Sequence, residues 1–330
     1  MNRVLNHLIN SCAALVLAGA AFAGDLPGEG KSVTPGGSAS PEENIRTWVI
    51  TDGLEELGYT VNDKLEVEFA TLHLAIASGD VDFTAIHWDP LHTAFFEESG
   101  GSAQMTKVGN LVKGAVQGYL VDKASYDAGV TNLGDLKDPE VAARFDIDGD
   151  GKADLAGCVP GWGCERVIEH QLTEFGLRDT VTHNQGSYEA IIAETMAVHG
   201  QGKPILYYTW TPYWVSGVLV PGRDVEWIEV PYSSLPDGRE EQTTFEGREM
   251  GFAVNNIRVL ANNAFLADNP AAAKFMELAE ISINDVSAQI LSMREGQESE
   301  EAMRAWLDNW KAEHKEEWDS WIAEAKAAAM

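Results

Sequence analysis

Three tryptophans in this sequence sit among turn-forming residues and off any periodic apolar face. They are Trp88 in His87-Trp88-Asp89-Pro90-Leu91-His92, Trp162 in Cys158-Val159-Pro160-Gly161-Trp162-Gly163-Cys164, and Trp210 in Tyr207-Tyr208-Thr209-Trp210-Thr211-Pro212-Tyr213-Trp214. A tryptophan in a loop after a strand often faces a cleft, because loops carry function on a rigid scaffold. Any one of the three, taken alone, reads as core. Together they suggest a set of aromatic faces. The chemistry that suits such a set is an onium cation, whose methyl-covered charge has no N–H to donate. Aromatic faces attract it by about 0.5–2 kcal/mol per contact, more when water is excluded. A carboxylate partner would first have to be desolvated.

The second feature is the loop between Cys158 and Cys164. In an exported protein an even pair at this spacing reads as a disulfide. A reduced pair or a metal site is the weaker alternative, since no second cysteine pair completes a cysteine-rich site. The stretch from Glu165 to Phe175 has helical spacing, which places Gly163 and Cys164 at a helix N-terminus. Their N–H groups are candidates to bind a carboxylate. His92 is a second candidate donor, the alternative being a helix-start or packing histidine.

These loops need elements to hold them. The chain has 330 residues with 45% hydrophobic and 23% charged content, enough for about two soluble domains. Residues 1–23 read as an export signal: Arg3 in a basic start, an apolar run densest from Ala13 to Ala21, and the cleavage pattern Ala21-Phe22-Ala23. A membrane anchor is the alternative, but polar residues interrupt the run. Cys12 lacks a lipid-attachment context. Cleavage after Ala23 would leave an exported mature chain starting at Gly24.

From there strand-like and helix-like patterns alternate, which predicts an α/β class. A short strand is expected near Lys31–Thr34, then a helix with Ser40 as N-cap, Pro41 at N1 and Glu43 at N3. Strands are expected at 65–69, 81–86, 112–121, 181–183, 205–209 and 251–254. Helices are expected at 71–78, 188–198, from Pro270 to about Glu280, and over the tail 298–328. The tail tryptophans Trp306, Trp310, Trp318 and Trp321 read as packing.

Charge narrows the partners. The formal charge is −29, and removing residues 1–23 takes away only Arg3, giving −30. Nucleic acid and anionic membranes are therefore poor partners. Asp146-x-Asp148-x-Asp150-Gly151-x-x-Asp154 resembles the start of a calcium loop, though Gly157 stands where a bidentate glutamate would close it. The side chains of Asp146, Asp148, Asp150 and Asp154 with the Lys152 carbonyl are the candidate ligands for a structural Ca²⁺. An Asp-rich turn is the alternative. His87-x-Asp89-x-x-His92 admits a metal-cluster reading and, with it, a zinc hydrolase. Tyr207–Trp214 admits an exposed aromatic patch for a protein or glycan.

The Trp88-x-Pro90-Leu91-His92 stretch, the Cys158–Cys164 loop and the Tyr207–Trp214 run, in this order, resemble the periplasmic glycine betaine/proline betaine-binding proteins of osmoregulatory ABC importers, the ProX type. The resemblance covers nearly the whole mature chain. It implies a non-catalytic two-domain α/β solute-binding protein, type II or Venus-flytrap, with the ligand cleft between domains. Domain 1 would comprise residues 24–117 plus 256–330, and domain 2 residues 118–255. Trp88, Trp162 and Trp210 would box the trimethylammonium group. His92 and the N–H groups of Gly163 and Cys164 would hold the carboxylate. The implied partners are a small zwitterionic quaternary-ammonium ligand and an inner-membrane permease; a monomer needing no cofactor is expected.

Overall fold

The computed structural model describes residues 26–330, so the export signal read in residues 1–23 lies outside the described residues. Nine strands form one continuous sheet. In chain order they are β1 (Pro35–Gly37), β2 (Leu65–Glu66), β3 (Phe83–Asp89), β4 (Met105–Asp122), β5 (Ala153–Ala156), β6 (Val181–Asn184), β7 (Leu206–Thr211), β8 (Val225–Ile228) and β9 (Asn255–Asn262). Across the sheet they run β2-β1-β3-β9-β4-β7-β5-β6, with β8 also on β4.

The sheet contains the same layout twice. β1 pairs in parallel with β2 and β3, and β5 pairs in parallel with β6 and β7. In each trio the first strand lies between the second and the third. The third strand then meets a strand running the other way: β9 beside β3, and β4 beside β7. The long β4 connects the halves. Its residues up to Ala115 pair with β9, and Val116–Val121 pair with β7.

Parallel strands are covered on both faces, so they read as apolar runs. Accordingly, Phe83–Trp88 of β3 and Leu206–Thr209 of β7 are buried throughout. Helices Asn44–Glu56 and Phe69–Ser78 cover the first half, burying Ile45, Val49, Ile50 and Leu54 from one and Leu72 and Ile76 from the other. Helices Gly163–Glu174 and Tyr188–Gly200 bury Val167, Ile168 and Leu172, and Tyr188 and Ile192, in the second. The tail tryptophans pack as expected: Trp318 and Trp321 close edge-on over buried Phe275 at 5.5 and 6.3 Å.

Several local expectations shift. Ser40 precedes a 3₁₀ turn at Pro41–Glu43 and does not cap it; its hydroxyl bonds to the Glu42 carboxylate. The strand expected over 65–69 stops at Glu66, because Phe69 already opens a helix. The strand expected over 251–254 starts at Asn255 instead. β4 begins seven residues before Val112, at Met105; this stretch is polar enough (Thr106, Lys107, Asn110) to hide in an apolar scan. The tail splits at His314 into helices Glu300–Glu313 and Lys315–Ala328. Helix Ile283–Arg294, capped by the Ser282 hydroxyl on the Asp285 N–H, is absent from the sequence reading.

Candidate ligand-binding site

Both trios deliver a tryptophan at the end of their third strand. Trp88 is the next-to-last residue of β3 and Trp210 that of β7. Each is followed, two residues on, by a proline after a cis peptide bond, Pro90 and Pro212. Ligands of open α/β sheets bind beyond the carboxyl ends of the strands, and these loops lie there. The 88–92 loop is pinned by Asn255, whose Oδ1 accepts the Leu91 N–H at 2.9 Å.

The third tryptophan comes from the disulfide loop. Cys158 and Cys164 are bonded, with Cα atoms 6.1 Å apart. Trp162 is the N-cap of helix Gly163–Glu174, and no side chain caps that helix start. The N–H groups of Gly163 and Cys164 are therefore among those a helix leaves unpaired at its N-terminus. A Cβ on Gly163 would stand 2.8 Å from Leu91, so glycine lets the two loops meet.

One cavity gathers these residues. Trp88, His92, Trp162, Gly163, Cys164 and Trp210 all line it, together with Phe69, Leu91, Gln117, Tyr208, Pro212 and Tyr213. It holds about 610 Å³ of atom-free space, its open mouth included. Trp162 meets Trp210 nearly at right angles, 71° with centroids 5.7 Å apart. Tyr213 and Tyr188 pack on Trp210 at 4.4 and 4.6 Å between ring centroids. Glu42, Glu43 and Glu189 also line the space, against a single guanidinium, Arg46. Three carboxylates against one cation make this wall favourable to a positive ligand.

A family model described as the substrate-binding domain of ABC-type glycine betaine transport systems, OpuAC, matches residues 31–309. The chain belongs to the OpuAC family. A glycine betaine/proline betaine-binding periplasmic protein of Escherichia coli K12 is 45% identical over 97% of this chain and 98% of its own length. The glycine betaine-binding periplasmic protein OusX of Dickeya dadantii is 47% identical over 93% of each. The fold is shared with the lactococcal OpuAC crystallised closed on glycine betaine (TM-score 0.66, 22% identity, 88% of this chain and 99% of that one). It is shared too with the ProX protein of Borrelia burgdorferi (TM-score 0.70, 19% identity, 91% and 100%).

OpuAC proteins carry ligands and are not enzymes, so the zinc-hydrolase alternative falls. The metal cluster read as His87-x-Asp89-x-x-His92 falls as well. Asp89 turns to Lys107 (2.5 Å) and Arg258 (3.0 Å). His73 takes its place, with one nitrogen of each of His73, His87 and His92 within 4.8 Å of the others. Hydrogen bonding accounts for this grouping. His73 Nδ1–H donates to the Phe69 carbonyl at 2.7 Å, so His73 Nε2 accepts from His87 Nδ1–H at 3.1 Å. Likewise the Trp88 N–H donates to His92 Nδ1 at 3.3 Å, which leaves the His92 proton on Nε2. His92 thus presents a donor from a neutral ring.

Burial holds all three histidines below their usual range, His73 at about 4, with Lys107 adding to the effect. The linkage follows. An unfolded histidine titrates at about 6.5, above the folded value, so the stabilisation is complete above that pH and is lost as pH falls towards 4. For His73 alone the loss approaches about 3 kcal/mol. Part-buried Glu43 and Asp82, both pushed up by desolvation, act in the opposite sense. Urea midpoints from pH 7.5 to 4.5 should therefore fall more steeply for the wild type than for His73→Asn. Parallel curves would contradict the histidine assignment.

The remaining sequence candidates divide. The carboxylates of Asp146, Asp148 and Asp154 converge within 4.8 Å, while that of Asp150 stays outside the group and accepts the Lys152 N–H. The Tyr207–Trp214 run is no exposed patch: Tyr207, Tyr208, Tyr213 and Trp214 are buried. The sequence reading missed Phe69, Gln117, Tyr208 and Tyr213 as lining residues. Gln117 is the most informative of them. Its Oε1 accepts the Tyr208 hydroxyl at 2.5 Å, and its buried Nε2 has no partner among the described residues.

Proposed function

We propose that this protein captures glycine betaine or a closely related onium zwitterion in the cavity and delivers it to an inner-membrane permease. The observation that carries this reading is the convergence of Trp88, Trp162 and Trp210 with His92, Gly163 and Cys164 on one cavity. The indoles would cage the trimethylammonium group. His92 Nε2–H and the two helix-start N–H groups would hold the carboxylate.

The reading includes a hinge. β4 changes partner between Ala115 and Val116, and β9 begins at Asn255. Residues 24–117 plus 256–330 would then form one domain and 118–255 the other, closing on the ligand. Arg239 already reaches across to the Pro90 carbonyl at 3.2 Å. Export through the signal in residues 1–23, a periplasmic location and a monomeric state complete the proposal. It needs no cofactor. The grouped Asp146, Asp148 and Asp154 suit a structural Ca²⁺ with Asp150 and the Lys152 carbonyl drawn in; an unchanged melting temperature on adding Ca²⁺ after chelation would dismiss that ion.

The polar half of the site gives its own test. His92→Ala should weaken glycine betaine about tenfold or more, the loss of a hydrogen bond to a charged group being roughly 1.5–3 kcal/mol. Choline has no carboxylate, so its affinity should hardly change. Equal losses for both ligands, read by fluorescence titration, would place His92 in packing only.

A further inference from the structure

The disulfide loop is also gripped by a side chain that does not line the cavity. His183, in β6, has a side chain only 2% exposed. Its Nε2 lies 3.1 Å from the backbone nitrogen of Cys158. An amide N–H can only donate, so Nε2 accepts and the ring proton is on Nδ1. That proton goes to Glu169 Oε1 at 2.6 Å. Arg178 holds the other oxygen of Glu169 at 2.6 Å. The neutral ring therefore has one acceptor and one donor, and both are used.

Local geometry favours this contact over ordinary packing. A Cβ on Gly157 would stand 2.0 Å from His183 Nε2, so only glycine lets the ring close against the backbone just before Cys158. Glu169 belongs to helix Gly163–Glu174, the helix whose first residues are Gly163 and Cys164. The chain Cys158 N–H to His183 to Glu169 thus ties the start of the loop to the helix that the disulfide joins at Cys164. Two separate routes close the loop, one covalent and one hydrogen-bonded.

We propose that His183 is a positioning residue for the ligand site: by accepting from Cys158 and donating to Glu169, it fixes where Trp162, Gly163 and Cys164 meet the ligand. This rests on the betaine reading of the loop. The test is calorimetric titration of oxidised protein with glycine betaine. His183→Leu fills the space without a polar atom and should raise Kd about tenfold, the equivalent of one unsatisfied amide. His183→Gln offers an amide oxygen at the reach of Nε2 and should recover most of the affinity. Phe275→Leu, in helix Pro270–Leu278 away from the disulfide loop, serves as a control that lowers the melting temperature without changing Kd. Glu169→Ala, on a part-exposed residue, should raise Kd in the same direction even if His183→Leu fails to fold. Wild-type affinity in His183→Leu or Glu169→Ala overturns the proposal. So does His183→Gln binding no better than His183→Leu, or Phe275→Leu losing affinity in proportion to its stability. If the wild type itself does not bind betaine, the function reading fails instead.

Discussion

Replacing Trp162 with alanine is expected to weaken glycine betaine binding at least tenfold. Trp162 stands at 71° to Trp210 and edge-on to Phe69 at 6.3 Å, so it forms one wall of a corner. A cation in that corner touches two indole faces with water excluded. Each contact is then worth up to about 2 kcal/mol, and about 1.4 kcal/mol is a factor of ten. Lost apolar contact adds to this. Because Trp162 is only half-buried, the melting temperature should move little. Trp162→Phe keeps a smaller aromatic face and should fall in between. An unchanged Kd for the alanine variant would remove Trp162 from the cage.

Opening the disulfide should have the next largest effect. Its seven-residue ring contributes about 2 kcal/mol of stability in the chain-entropy account. The larger consequence is for binding, because Cys164 and Trp162 both line the cavity and Trp162 lies inside the ring. Cys158→Ser with Cys164→Ser should lower both the melting temperature and the betaine affinity, the affinity by roughly tenfold, the equivalent of one charge-assisted hydrogen bond. Full affinity in this variant would mean that the His183 route alone holds the loop.

Much of the site was legible because its residues break the local pattern. Trp88, Trp162 and Trp210 stand beside Pro, Gly and His, where no helix or strand period explains them. Phe69 and Tyr208 gave no such sign. Phe69 opens an ordinary apolar helix, and Tyr208 sits inside a strand that is buried on both faces, so only the fold turns them to the cavity. His73 was invisible for a related reason: its partner His87 is fourteen residues away, across a turn. The repeated strand layout left no trace either. It is a repetition of strand order, and no residue period needs to accompany it. Helix Ile283–Arg294, by contrast, went unread although its pattern is in the sequence. Val286, Ile290 and Met293 are spaced for one buried face, and Ser282 stands at the cap.

The most direct test is calorimetric titration of the oxidised protein from Gly24 onward with glycine betaine, using glycine as the control. Glycine carries the same carboxylate but an ammonium that prefers water. Saturation near one ligand per chain with betaine, and no heat with glycine, is the result predicted for an aromatic cage. No heat with betaine, together with unchanged tryptophan fluorescence, would contradict it.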